Sequence, residues 1–371
     1  MKNTSKRNLK QLPKRCFALF LAMLILLSTI PMASFALDFG STGTVQKDGT
    51  IPGFSYNFSG GDGKALGLPH RNAQGQYDRL SVNGNVAYCV ECGDKASVGK
   101  NATVTDLSQL LRDADNMSSD EKASYMTFAL MYGYTGATKY GYSADVERAA
   151  TQAFIWLITT GDVADSSISN TCLYNPFSAS LTATEQNFFN FAFKSSSYES
   201  MNPTYAAQAR DVVAKLKEQI YLHEVVPSFM TRNSNQVSSK KVILKYNAST
   251  KLFEASLTDT NGVLQDYQFS MNGVNFAKSG NTLKISTANL ILTPTTLTAE
   301  RVSNKYTAPA DVVAGGYANN QDGCVAISRR DPMRAYMQLE TEALGSVKLI
   351  KTSEDGRIAN VPLHISGNGV E

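Results

Sequence analysis

Two short stretches organise this chain: Ala87-Tyr88-Cys89-Val90-Glu91-Cys92-Gly93 and Ala150-Thr151-Gln152-Ala153-Phe154-Ile155-Trp156. The first ends an apolar, strand-like run on a cysteine. Val86–Val90 pairs with Tyr77-Asp78-Arg79-Leu80-Ser81-Val82 across Asn83-Gly84-Asn85, because Asn-Gly is a strong signal for a tight antiparallel turn. The second lies in a helix that begins near Ser143 and stops at Gly161. Asp145 and Glu147 occupy its first turn, where the positive end of the helix dipole favours acids. Val146, Ala149, Ala150, Ala153, Phe154 and Leu157 form its main apolar stripe. Gln152 falls on a second face with Ile155, Thr159 and Trp156, the one tryptophan of the chain. In that company it reads as a buried amide, which costs free energy unless its polar atoms are bonded.

Outward from these stretches, three further helices are expected. Ser118-Ser119-Asp120-Glu121 is a capping box ahead of Ala123, Met126, Thr127, Leu130 and Met131, and Gly133 and Gly136 stop that helix. Thr182-Ala183-Thr184-Glu185 repeats the pattern before Phe188, Phe189, Phe191 and Phe193, an aromatic group that reads as core. Asn202-Pro203 is an N-cap followed by proline at the first helical position, opening an amphipathic segment from Tyr205 to Leu222. Residues 37–86, rich in Gly, Ser and Asn, read as strands and turns, with Phe54-Ser55-Tyr56-Asn57-Phe58 alternating. From about Val225 the period changes from helical to alternating. Strands are expected at 241–246, 252–257, 265–269, 283–287 and 290–293, an antiparallel β-sandwich. Another strand–turn–strand unit starts at Gly345 and is cut short at Glu371. The fold class is therefore α+β, with boundaries at 1–36, 37–225, 226–343 and 344–371.

The chain has 371 residues, 43% hydrophobic and 18% charged, an ordinary globular composition. Its formal charge of +3 comes from the N-terminus, where Lys2, Lys6, Arg7, Lys10, Lys14 and Arg15 precede the first acid, Asp38. Without those six, 29 cations face 32 acids, a charge of −3. That balance lacks the footprint of a nucleic-acid binder. Cys16–Leu27 is an apolar run behind the basic segment and leads to Ala33-Ser34-Phe35-Ala36, a secretion signal with cleavage predicted after Ala36. No second apolar stretch of membrane-spanning length follows, so the mature chain is expected to carry no membrane span.

Cys89, Cys92, Cys172 and Cys324 remain after cleavage, and an even count in an exported chain reads first as two disulfides. A zinc site at Cys89-x-x-Cys92 lacks a second ligand pair, since His70, His223 and His364 are scattered. No metal and no cofactor is expected. A thioredoxin-like motif would follow a βαβ pattern rather than a hairpin, and nothing in the pattern supports a cysteine protease built on His70 or His223.

Tyr88-Cys89-Val90-Glu91 followed by Thr151-Gln152-Ala153-Phe154-Ile155-Trp156, in that order and after a signal peptide, resembles the thioester domains of Gram-positive surface adhesins over residues 50–225. The resemblance implies that Cys89 and Gln152 join as an internal thioester, shielded by Tyr88 and Trp156. It also implies a protein that is no enzyme: it captures, once, an amine, a lysine on a host cell-surface or extracellular-matrix protein. Where the family often has Pro-Gly, this chain has Cys92-Gly93, which opens the alternative of a Cys89–Cys92 disulfide and a non-covalent adhesin or pilin-like stalk. With Cys89 acylated, Cys92–Cys172 is the expected bridge. The C-terminal unit resembles the start of a Cna-B (SpaA-like) stalk domain, with Lys351 as its isopeptide lysine. These likenesses together imply a secreted protein displayed at the cell surface and attached to the wall through a region beyond Glu371.

Overall fold

The computed structural model describes residues 42–59, 65–68, 73–93, 98–99, 101–106, 111–162, 168–302, 313–316, 324–326 and 333–342. The expected signal peptide, the stalk-like segment 344–371 and Lys351 lie outside them. Four strands come first: β1 (Thr42–Asn57), β2 (Gln74–Val82), β3 (Asn85–Cys89) and β4 (Asn101–Asp106). Four helices follow: α1 (Ser119–Tyr132), α2 (Ala144–Ile158), α3 (Ala183–Ala192) and α4 (Pro203–His223). The remaining strands are β5 (Lys241–Asn247), β6 (Leu252–Thr258), β7 (Tyr267–Phe269), β8 (Asn275–Ser279), β9 (Thr282–Thr287), β10 (Thr295–Arg301), β11 (Val313–Gly316), β12 (Cys324–Ala326) and β13 (Arg334–Thr341). The α+β class expected from the sequence is the class observed.

The β2–β3 hairpin turns on Asn83 and Gly84, both at positive φ (49° and 79°), the geometry that matches the twist of two paired strands. β1 is long enough to serve two neighbours. Its irregularities between Lys47 and Ser55 bend it, so that Thr42–Thr44 pair with β4 while the strand as a whole runs along β2. The sheet closes as a barrel in the order β1-β2-β3-β12-β11-β4.

That closure crosses the domain boundary expected near residue 225. Two strands from residues 226–343 join the first sheet: β11 pairs with β4 and β12 pairs with β3. The chain leaves the second sheet after β10, completes the first barrel, and returns as β13. Closing a barrel removes two exposed strand edges, the physical return for so long an excursion.

The helices form as the sequence signals. Ser118 and Glu121 cap α1 reciprocally, Thr182 and Glu185 do the same for α3, and Asn202 accepts from two N–H groups at the start of α4. α2 is the axis of the domain: every residue from Val146 to Ile158 is buried. It packs against α1, α3 and α4 on one side and β1 and β3 on the other. The end of α1 approaches it closely, since a Cβ on Gly133 would lie 2.5 Å from both Ala129 O and Thr151 Cγ2. Phe188, Phe189 and Phe193 are buried as core, joined by Phe58, Phe154 and Tyr77.

The other strands form one hydrogen-bonded order, β7-β10-β13-β5-β6-β9-β8. β5 changes partner partway: Lys241–Leu244 pair with β13 in parallel, and Lys245–Asn247 pair with β6 antiparallel. A strand that passes between sub-sheets makes a corner of a sandwich-like layer. Leu297 and Ala299 on β10 and Ala335, Met337 and Leu339 on β13 supply the inner face by strict alternation. Two expectations shift. Residues 290–293 are not a strand, and Leu290 and Leu292 are exposed. The parallel β5–β13 pair departs from an all-antiparallel layer, because the intervening chain includes the excursion to the barrel.

Candidate functional site

Cys89 closes β3 where the pairing with β2 has run out, so its main-chain groups need a partner there. Gln152 supplies both. Its Oε1 accepts from Cys89 N–H at 2.9 Å and its Nε2 donates to Cys89 C=O at 2.7 Å. The carboxamide thus stands in for a strand's peptide group, and the reciprocal bonds fix which end carries oxygen. Gln152 is 4% exposed and Cys89 8%. The Cys89 thiol donates to Glu91 O at 3.0 Å across the turn that follows.

A second tether lies two helical turns further on. Thr159 Oγ1 donates to Val90 O at 2.8 Å. Gln152, Trp156 and Thr159 share one stripe of α2, because three- and four-residue steps stay on one face of a helix. The helix therefore grips the 89–92 turn at both ends of that stripe. Between the tethers, Trp156 meets the edge of Tyr56 at 4.9 Å and lies 5.1 Å from Tyr77, ring centre to ring centre.

Tyr88 and Trp156, the two residues expected to shield the site, both lie along α2, with distinct placements. Trp156 belongs to the aromatic wall on the second half of α2. Tyr88 lies by the first half, its hydroxyl donating to Tyr134 O, with Arg148 and Thr151 close to its phenolic oxygen. Burial pushes its phenol above the ordinary value. Tyr134 is itself held by Thr151 Oγ1 at 2.9 Å. The loop behind it is gathered by the buried Glu147 carboxylate, which accepts from Lys139, Tyr140 and Tyr142 N–H. Tyr88 is thereby an anchor for β3.

Tyr56 and Tyr77 join the site without any mark in the local sequence pattern. Both phenols are raised by burial foremost and then by Cys92, with Cys89 adding to the effect on Tyr56. The alternation Phe54-Ser55-Tyr56-Asn57-Phe58 gives the inward side of Tyr56 but no hint of the thiols that it and Tyr77 face, which depends on how β1 and β2 lie over α2.

The cysteines correct one expectation. Cys92 and Cys172 are free thiols and are not bridged to each other. Cys92 packs in the main core beside Tyr77, and burial, then the neighbouring Cys89, pushes its thiol up. Cys172 is turned to the end of α2, donating to Ile158 O at 3.3 Å, and its N–H is taken by Asn116 Oδ1 at 2.8 Å. The two sulfurs serve different parts of the helix. With Cys92 free, the Cys89–Cys92 disulfide that would block acylation is not formed either. Cys324 stands directly opposite Cys89 in the β12–β3 register, a juxtaposition no local pattern indicates.

No known family signature and no curated protein matches the chain. Solved structures do resemble it. The thioester domain of the Staphylococcus aureus TIE protein aligns over 81% of this chain and 99% of its own, at 17% identity and a TM-score of 0.44. The Bacillus anthracis TIE protein aligns over 81% of this chain at 10% identity and a TM-score of 0.37, and the chain spans 49% of that structure's length. The pilus-presented adhesin Spy0125 (Cpa) aligns over 81% of this chain and 80% of its own at 11% identity, with a TM-score of 0.21.

Proposed function

We propose that Cys89 and Gln152 condense to an internal thioester and that the protein is a surface adhesin which uses it to bind a target covalently. The observation that carries this reading is the pair of hydrogen bonds between the Gln152 carboxamide and the Cys89 main chain. They hold the amide against the residue that bears the nucleophile.

The Cys89 sulfur, as thiolate, attacks Gln152 Cδ. Negative charge developing on Oε1 meets the Cys89 N–H already directed at it, a single preorganised donor of the oxyanion-hole kind. Nε2 departs as ammonia, taking up the proton from sulfur, and an acyl–sulfur bond remains. Burial by Trp156, Tyr56 and Tyr77 keeps water from that bond. A lysine amine on a host surface or matrix protein then attacks the acyl carbon. The Cys89 thiol is released and Gln152 stays joined to the target as a secondary amide. The thioester is consumed in one turnover, so the protein is a single-use cross-linker rather than an enzyme. Secretion through the N-terminal signal and attachment to the cell wall complete the proposal.

Intact mass tests it. The mature chain should be lighter than its sequence by one ammonia, a deficit absent from Cys89→Ala and exchanged for one methylamine on treatment with that amine. A full sequence mass with no amine-reactive site would overturn the reading.

A further inference from the structure

β12 is a three-residue strand delivered to the barrel from the far end of the chain, and its first residue, Cys324, is the register partner of Cys89. We propose that the Cys89 sulfur has a second, mutually exclusive partner in Cys324, and that the two close as a cross-strand disulfide whenever Gln152 does not hold the sulfur. The exclusivity rests on the thioester reading; the disulfide itself does not.

The backbone argues for the pair. The Cys89 N–H and C=O are both engaged by Gln152, so Cys89 does not exchange its N–H with Cys324. In an antiparallel ladder that makes the pair a non-hydrogen-bonded one, with Cα atoms about 4.5 Å apart. Disulfides span Cα separations of about 4.4–6.8 Å, so no movement of either strand is required. The competing thiols are placed less well. Cys92 is packed in the core beside Tyr77, whereas Cys89 lies outside that cluster, and the Cys172 thiol is committed to Ile158 O.

The chemistry balances with an oxidant ordinary outside the cell, a small-molecule disulfide. The Cys89 thiolate attacks one of its sulfurs and expels a thiol. The Cys324 thiolate attacks the resulting mixed disulfide at the Cys89 sulfur and expels the second. Two protein S–H bonds are lost, one S–S bond forms, and the oxidant is reduced to two thiols. Before capture the acyl group protects Cys89 from this route. After capture Cys89 is a thiol again, and closure with Cys324 ties β12 to β3 covalently. The spent site is then locked with its target attached.

The experiment uses the mature chain carrying Gln152→Ala, in which no acyl bond can form. The protein is incubated with oxidised glutathione, denatured, alkylated and mapped by mass. The expected product is lighter by two hydrogens, with the Cys89 and Cys324 peptides linked and Cys92 alkylated. Adding Cys324→Ser should replace the link by glutathione on Cys89. Unsubstituted protein should show no link as isolated and gain it once methylamine has opened the thioester, a comparison independent of whether Gln152→Ala folds. Cys89 linked to Cys92, or capped by glutathione while Cys324 is alkylated, would overturn the proposal. An ammonia deficit in the unsubstituted chain with no Cys89–Cys324 link after methylamine and oxidised glutathione fails this inference and leaves the thioester standing. The link without a deficit does the reverse.

Discussion

Gln152 occupies a helix that offers it no water, and a buried carboxamide is tolerated there only because both of its polar atoms are bonded. The same accounting applies to Val90, whose carbonyl is bonded by Thr159 Oγ1. Thr159→Val keeps the shape and removes the hydroxyl. We expect a loss of about 1 kcal/mol, read from the urea midpoint. A lower fraction of molecules carrying the ammonia deficit should accompany it, because the turn after Cys89 loses its second tether. An unchanged fraction would show that Gln152 alone positions the turn. At this scale the sequence was partly legible. Gln152 stood out for its apolar company, while its partnership with Cys89 came from a resemblance. The walls supplied by Tyr56 and Tyr77 were not legible, because residues 100 and 79 positions from Trp156 reach it only through sheet packing.

At the scale of elements, the helices around α2 are fastened to one another by buried ions. Lys217 on α4 and Glu185 on α3 form an ion pair with neither side chain exposed, and the lysine also donates to Asn175 O at 2.6 Å. Glu185 in addition accepts from Asn175 N–H at 2.9 Å and Thr182 N–H at 2.7 Å, so it serves at once as ion partner, loop anchor and helix cap. Lys217→Met would leave that carboxylate charged in the core. The expected cost is about 3–5 kcal/mol, measured by denaturant unfolding. A cost below about 1 kcal/mol would mean that the carboxylate takes up a proton or reaches water. The sequence announced Glu185 as the third residue of a capping box and Lys217 as part of an amphipathic helix. Their pairing needed α3 and α4 to be packed side by side.

For the whole molecule, the barrel is the unit to test. A fragment ending at residue 225 lacks β11 and β12 and leaves β3 and β4 with open edges. It should be proteolysed readily and show no ammonia deficit, whereas a chain running to residue 342 should be resistant and carry it. A stable, acylated short fragment would show that the excursion is dispensable. The alkaline response is a second property of the whole. Burial raises the phenols of Tyr56, Tyr77, Tyr88, Tyr125 and Tyr174 above 10.0. Between the unfolded and folded values the folded chain holds more protons than the unfolded one, so stability is lost as pH rises above about 10. The slope is about 1.4 kcal/mol per pH unit for each phenol. Lys139 acts in the opposite sense: burial lowers it from 10.5 to about 8, so the cost of its buried charge is relieved across that interval. The melting temperature of Cys89→Ala, which has no thioester to hydrolyse, should therefore rise from pH 8 as Lys139 discharges and fall steeply beyond pH 10. A flat profile past pH 10 would show that these phenols ionise without unfolding.

The sequence by itself determined what is written in near neighbours. The Asn83-Gly84 hairpin, the capped starts of α1, α3 and α4, the buried stripe of α2 and the change of period after Val225 each follow from a few adjacent residues, because turn geometry and helix capping are local. The tertiary structure alone decided which distant segments meet. It completed the first barrel with residues 313–316 and 324–326, kept Cys92 and Cys172 apart, and set Cys324 opposite Cys89. Those outcomes turn on closing sheet edges and filling one core, a free energy of the whole chain that no single segment records.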